Sequence, residues 1–388
     1  MRVIGLMSGT SYDAIDAAAA DLRIEDGQLV LTPLGLLSDT YPAPLRDEIA
    51  KSLPPATTSL EQVCRLDTGI GQAFAAVAQQ AVEQLCGGQA DLIVSHGQTV
   101  FHWVDDGQVR GTLQLGQPAW IAEATGVAVV SDLRSRDVAA GGQGAPLVSI
   151  VDVLWLSGRP GTPVALNLGG IANITVVPAT GDPIAFDTGP ANALADAVVR
   201  DLTGGQSTFD ADGVMAGRGL IHPELFDRLL AEPYYARPAP KSTGKELFHL
   251  GYLAEAMSGL PQIPSDDLVA TVTALTARTV ADAVRAHGGT EVIAAGGGIR
   301  NPVLMSMLAE ELRGVPLRST DELGLPSAAK EAYAFAVLGF LTVNGLGGTV
   351  PSCTGARHTS VLGSITPGAG PLPVSPPPVQ PPTALRLS

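Results

Sequence analysis

Two stretches far apart in the chain share one plan. Residues 3–18 read VIGLMSGTSYDAIDAA, and residues 164–177 read VALNLGGIANITVV. Each is an apolar strand, a Gly-rich turn bearing hydroxyls or amides, and a returning strand. Each is followed by a third strand and then helices. Glycine lets a turn aim its N–H groups inward and admits a ligand close to the backbone. A strand–turn–strand unit used twice in 388 residues predicts two similar α/β domains with a ligand held in a cleft between them.

The rest of the chain supplies the expected alternation of strand and helix. Strands are predicted over 2–7, 16–22, 28–38, 91–94, 110–115, 127–131, 164–168, 174–177, 183–186 and 291–295. Helices are predicted over 60–85, 118–125, 193–202, 266–287, 302–312 and 330–343. The uncharged stretch 332–356 has an apolar part of only about 12 residues, against the ~20 needed to span a bilayer. It therefore reads as a buried helix. We expect domains over 1–135 and 136–365, with the final helix able to pack back on the first. From Pro367 onward eight prolines and almost no charge predict a disordered or polyproline tail, 366–388.

Charge narrows the chemistry. The chain has 23 Lys and Arg against 38 Asp and Glu, a formal net charge of −15. That argues against a nucleic-acid binder, which needs a basic face. Any phosphate must be held by backbone N–H groups or by a metal. Cys64, Cys86 and Cys353 have neither metal-ligand nor redox spacing, and the six histidines form no HExxH set. Two acids and a Gly-rich turn within the first 16 residues do not suit a signal peptide. The expectation is a soluble, cytoplasmic protein with no membrane partner.

Three Gly turns stand at strand ends: 5–11, 169–173 and 296–301. None fits the P-loop or GxGxxG patterns. Each alone reads equally as a hairpin or a helix cap, but together they point to a nucleotide. Asp13 and Asp16 follow the first turn, placed to hold Mg²⁺ or simply to face solvent. Asp187 ends the strand PIAFD before TGP, a position suited to a general base or to a helix cap. His96 follows DLIVS as a structural residue or a donor to a polar substrate. The Gly-rich segment 137–148 carries Gln143, and the loops FDADG and KSTGKE read as surface turns or ligand loops.

The ordered set GLMSGTSYDAID, VSHGQTVFH, RDVAAGGQGAPLV, NLGGIANIT, FDTGPAN, FDADG, PKSTGKELF, AAGGGIRN, KEAYAFAVLG and PSCTGA covers nearly all of residues 1–365. It resembles the anhydro-N-acetylmuramic acid kinase family of the acetate and sugar kinase, chaperone and actin superfamily. The resemblance implies two ribonuclease-H-like domains, mixed sheets flanked by helices, facing across a cleft that binds ATP and Mg²⁺. It implies hydrolytic opening of 1,6-anhydro-N-acetylmuramic acid and phosphorylation of the freed 6-oxygen. The products are N-acetylmuramic acid 6-phosphate and ADP, in cell-wall recycling, and the assembly is a homodimer. Carried over residue by residue, Asp187 is the base and Glu331 an acid near the reacting sugar. Gly9, Thr10, Ser11, Tyr12, Asp13, Ala14, Ile15 and Asp16 form the first phosphate turn. Gly169, Gly170 and Asn173 form the second; Gly296, Gly297, Gly298 and Asn301 lie on the adenosine side. Gln98, Gln143, Pro146 and Lys241 fall in sugar-facing loops. Ala14 and Ala191 stand where the family usually has Gly, which matters if those positions need positive φ. Rival readings are a different sugar or acetate-type kinase, a non-catalytic ATP-driven switch and, on AAGGG alone, a dinucleotide oxidoreductase.

Overall fold

The computed structural model describes residues 1–9, 12–244, 246–374, 376 and 380–388. Packing divides the chain into one unit of Met1–Ser157 with Ala329–Ser388, and another of Gly158–Ala328.

The first unit opens with β1 (Arg2–Met7), β2 (Ala14–Glu25) and β3 (Gln28–Thr40), an antiparallel meander. Asp26 and Gly27, at φ 49° and 73°, make the tight β2–β3 turn, whose paired positive φ values match strand twist. β4 (Leu92–Ser95) adds in parallel to β1. β5 (Gln98–Asp105) and β6 (Gln108–Leu115) form a separate hairpin, and β7 (Val129–Ser131) adds in parallel to β4. The helix Leu60–Cys86 is capped by Ser59, whose hydroxyl accepts from Gln62 N at 3.1 Å, and stopped by Gly87 at φ 63°. Its buried stripe of Leu66, Ile70, Phe74 and Ala78 joins Ile4, Leu6, Ala17, Ala19 and Ile93 in one core.

In the second unit, β8 (Pro163–Leu168), β9 (Ile171–Val176) and β10 (Ile184–Pro190) form another antiparallel meander. β11 (Glu291–Ala295) and β12 (Leu317–Ser319) extend it in parallel. The order β10-β9-β8-β11-β12 repeats β3-β2-β1-β4-β7 of the first unit, strand sense included. The twofold plan of the sequence is therefore a twofold topology: two α/β units with mixed sheets flanked by helices. The sheet core holds Val164, Leu166, Ile174, Val280, Val292 and Leu308. A second cluster of Leu194, Val198, Leu225, Leu229, Val272 and Leu275 joins the helices.

The helix Lys330–Val343 is buried nearly all round and lies on β1 and β4 of the first unit. A Cβ at Gly5 would come within 1.9 Å of Ala332 O, and one at Gly339 within 2.1 Å of the Val94 side chain. Glycine at both contacts allows this close approach. The approach fixes Glu331 in the helix's first turn.

Two boundaries differ from expectation. The first unit continues to Ser157 rather than ending near 135. The helix Ser149–Leu156, which sequence reading missed, carries Asp152. Its carboxylate lies 2.7 Å from Lys330 Nζ, with both side chains under 10% exposed, and this holds the segment to the first unit. The segment expected to be a disordered tail contains a strand, β14 (Ala384–Leu387), which pairs in parallel with β3; where that segment begins, β13 (Ser364–Thr366) pairs with β7. The described prolines of this segment do stay out of the sheet, lacking N–H groups. ALRL regains those donors, and Leu385 packs inward. Ser375 and residues 377–379 lie outside the described residues. Among the described residues no helix is long and apolar enough to cross a membrane.

Candidate active site

In the first unit, the β1–β2 turn is built on an amide. Gln98 is fully buried. Its Oε1 lies 2.8 Å from Ser8 Oγ and accepts from the Tyr41 hydroxyl at 3.1 Å. Its Nε2 donates to Gly9 O and Thr99 O at 3.1 and 3.2 Å. Gln98, expected on a sugar-facing loop, is thus engaged under the first turn and fixes Ser8 and Gly9. Thr10 and Ser11 lie outside the described residues. Tyr12 takes a positive φ of 46°, and its N–H donates to Gly9 O at 3.2 Å. Ala14 and Ile15 open β2, and Ala14 is not among the positive-φ positions, so its methyl is tolerated.

Asp13 is exposed, whereas Asp16 is half-buried opposite Met7 and Ser38. Burial raises the Asp16 pKa, opposed by a hydrogen bond from the Ser38 hydroxyl. A carboxylate held this way at the end of a phosphate-type turn suits a hard divalent cation completed by phosphate oxygens and water. The donor set therefore fits Mg²⁺, with Asp16 as the stronger candidate and Asp13 beside it.

A cluster that sequence reading missed centres on Arg134. Its Nε donates to His96 Nε2 at 2.9 Å and its Nη1 to Gly144 O at 2.7 Å, while the guanidinium lies 5.9 Å from the centre of the Phe335 ring. Burial pushes the Arg134 pKa down to about 10, against the raising fields of Glu331 and Asp137. His96 is buried, and burial followed by the Arg134 charge holds its pKa well below the usual range. The ring is therefore neutral, with Nδ1 donating to Gly97 O at 2.8 Å and Nε2 accepting from Arg134. Asp137 accepts from Thr354 Oγ1 and Gly144 N, both at 2.7 Å. Gln143 N donates to Thr354 O at 2.8 Å, and Pro146 O accepts from Ser149 Oγ at 2.6 Å. The Gly-rich loop carrying Gln143 and Pro146 is thus pinned beside Arg134, whose charge reaches Glu331. The sequence signal was slight: one of the two arginines in SDLRSRD, set among residues drawn from 96 to 354.

In the second unit, Asp187 stands opposite Asn173 in the β10–β9 register, and Asn173 opposite Asn167 in the next pair. Directly paired residues share a sheet face. A register shift between Asp187 and Gly189 marks a bulge, a device that re-aims side chains near functional sites. Asp187 N donates to Lys241 O at 3.0 Å, its carbonyl accepts from the Tyr234 hydroxyl at 2.8 Å, and its Oδ2 accepts from Thr243 N at 2.9 Å. Burial pushes its pKa up to about 6, opposed by the Thr243 N–H and aided by Glu246. KSTGKE is thus the cradle of this carboxylate; Lys245 lies outside the described residues. Lys241 Nζ donates to Tyr234 O and Tyr235 O at 3.1 and 2.9 Å, and burial lowers its pKa. Its ammonium holds the cradle's backbone.

The two Gly turns of this unit meet. Asn192 Nδ2 donates to Leu168 O and Gly169 O at 3.1 and 2.9 Å, and Ala191 N and Ala193 N both donate to Gly170 O at 3.0 Å. Ala191 itself has φ −110°, so it needs no glycine. A Cβ at Gly298 would come within 2.7 Å of the Leu168 Cβ, and one at Gly296, where φ is 89°, within 2.8 Å of the Leu168 backbone. Gly297 is exposed, and a Cβ there would come no closer than 4.0 Å to its nearest neighbour, Asn192 Nδ2. Its backbone is open to a ligand. Asn301 Oδ1 accepts from Val303 N and Leu304 N, capping the helix Pro302–Glu311 rather than facing outward.

A sequence model described as anhydro-N-acetylmuramic acid kinase matches residues 1–368. The chain is 68% identical over 368 residues to the anhydro-N-acetylmuramic acid kinase of Streptomyces avermitilis, covering 95% of each chain. It is 66% identical over 387 residues to that of Streptomyces coelicolor, covering 100% of this chain and 99% of the relative. Among solved structures, component A of the (R)-2-hydroxyglutaryl-CoA dehydratase of Acidaminococcus fermentans aligns with 87% of this chain and 96% of its own. That match is at 11% identity with a TM-score of 0.45. The chain belongs to the anhydro-N-acetylmuramic acid kinase family.

Proposed function

We propose that the chain uses ATP to convert 1,6-anhydro-N-acetylmuramic acid to N-acetylmuramic acid 6-phosphate and ADP, a step of cell-wall recycling. The family match over residues 1–368 carries this reading. Water oxygen bonds to the anomeric carbon, the bond from that carbon to the bridging oxygen breaks, and that oxygen takes the γ-phosphoryl group. Asp187 takes the proton of the water. What supports this role is a half-buried carboxylate on a bulge, with Oδ2 fixed by the Thr243 N–H and a pKa of about 6. Such a group is mostly ionised at neutral pH yet basic enough to accept a proton.

Arg134 and Glu331 bind and orient the sugar from the first unit, with His96 holding the guanidinium. Lys241 keeps the Asp187 cradle in place, and Gln98 keeps the first turn in place. The turns at 169–170 and 296–298 receive the nucleotide on backbone N–H groups, which suits a chain of net charge −15. Mg²⁺ near Asp13 and Asp16 supplies charge neutralisation on the phosphates. A homodimeric state and a cytoplasmic location belong to the same reading, and light scattering tests the first. Purified chain incubated with ATP, Mg²⁺ and the anhydro sugar should release ADP and a sugar product whose mass has gained one water and one phosphoryl group. An inert anhydro sugar, or ADP release independent of it, contradicts the reading.

A further inference from the structure

Lys330 and Asp152 are buried charged residues to which the proposed reaction gives no part. Their 2.7 Å contact runs against two local rules. A lysine at the first position of a helix meets the positive end of the helix dipole, where a cation is disfavoured. A buried ion pair also gives up hydration, so apolar side chains of similar volume commonly stabilise a core as well or better. What such a pair supplies is register, since each buried charge must meet its partner.

The pair stands where register matters. The chain leaves the first unit after Ser157 and returns to it at Ala329. Asp152 lies on the last helix before the departure, and Lys330 is the second residue after the return. Their contact joins two segments that the whole second unit separates in sequence. On the returning side Glu331 is the next residue of the same helical turn, and Ala332 beyond it is seated against Gly5. That turn has no side-chain cap of its own at Ala329. On the departing side Asp152 N donates to Val148 O at 3.2 Å, and Ser149 Oγ donates to Pro146 O at 2.6 Å. The helix Ser149–Leu156 is thus bonded to the Gly-rich loop before it, and that loop accepts Arg134 Nη1 at Gly144 O, 2.7 Å away.

We propose that Lys330 and Asp152 are positioning residues: their contact holds the Glu331 turn in register with the loop that seats Arg134, and so aligns the two groups that orient the sugar. The inference rests on the proposed function and adds how its sugar-orienting groups are kept in place.

The test compares wild type, Lys330→Arg, Lys330→Met and Lys330→Met/Asp152→Leu by urea unfolding, and by kcat and KM for the anhydro sugar and for ATP. The apolar double variant should unfold at about the wild-type urea concentration, because packing replaces the pair. Its kcat/KM for the sugar should nevertheless stay about 10- to 100-fold down, with the KM for ATP within about twofold of wild type. Lys330→Arg keeps a cation against Asp152 and should lose less than about threefold. A double variant that regains full sugar kcat/KM together with its stability shows a merely structural pair and overturns the proposal. So does a KM for ATP that rises as far as that for the sugar. Should the double variant not fold, Lys330→Arg and Lys330→Met are compared below both unfolding midpoints, where equal sugar kcat/KM overturns the proposal. A wild type inert towards the anhydro sugar overturns the kinase reading, and this inference with it.

Discussion

A fall in pH should switch this enzyme off through one proton. The Asp187 pKa is about 6, raised first by burial and then by Glu246, and restrained by the Thr243 N–H. The proposed base acts only when ionised, so kcat/KM should sit on a plateau above pH 7 and bend near 6. At pH 5 about one molecule in ten keeps the base ionised, an approximately tenfold loss, with a further tenfold per unit below. ADP release should be followed by chromatography, since coupling enzymes have pH limits of their own. ATP binding should be measured at each pH to separate loss of the base from loss of the nucleotide. In Asp187→Asn, kcat should fall by about 10²- to 10⁴-fold, the residual rate should lose the bend near 6, and ATP affinity should hold. A wild-type profile flat to pH 5, a bend near 4, or an Asn variant of full activity would refute the assignment.

Three other outcomes follow from the packing. Gly297→Ala has room for its methyl, so it should fold normally but raise the KM for ATP, whereas Gly298→Ala meets Leu168 and should lower the melting temperature. Lys330→Met removes the cation 2.7 Å from the buried Asp152 carboxylate and should cost about 3–5 kcal/mol in urea unfolding, largely restored by adding Asp152→Leu. Deleting residues 384–388 uncovers the β3 edge and should promote aggregation on gel filtration, with little change in kcat of the remaining monodisperse fraction.

The repeated strand–turn–strand plan was legible because alternation and glycine act locally: residues 3–18 and 164–177 became β1–β2 and β8–β9. The long helices were legible from apolar periodicity and caps. What escaped depends on partners distant in the chain. ALRL after a proline run looks like tail until the β3 edge supplies its partner. SIVDVLWL shows its helix only once Lys330 and β14 are beside it. Asp187 could be singled out because it ends a strand before a Gly turn. Arg134 could not, because its role comes from His96, Asp137, Gly144 and Glu331 together. Gln98 and Asn301 were found in the right segments, but a sequence does not tell whether an amide faces a ligand or the backbone beneath it. Here both bond to the backbone.

The most direct trial of water-driven bridge opening is one turnover in ¹⁸O-water, quenched within seconds and compared with product merely soaked in that water. The account predicts label on the anomeric hydroxyl, none in the phosphate ester, and an original bridging oxygen now bonded to phosphorus. Label in the ester, or an anomeric oxygen no richer than the soaked control, would contradict it.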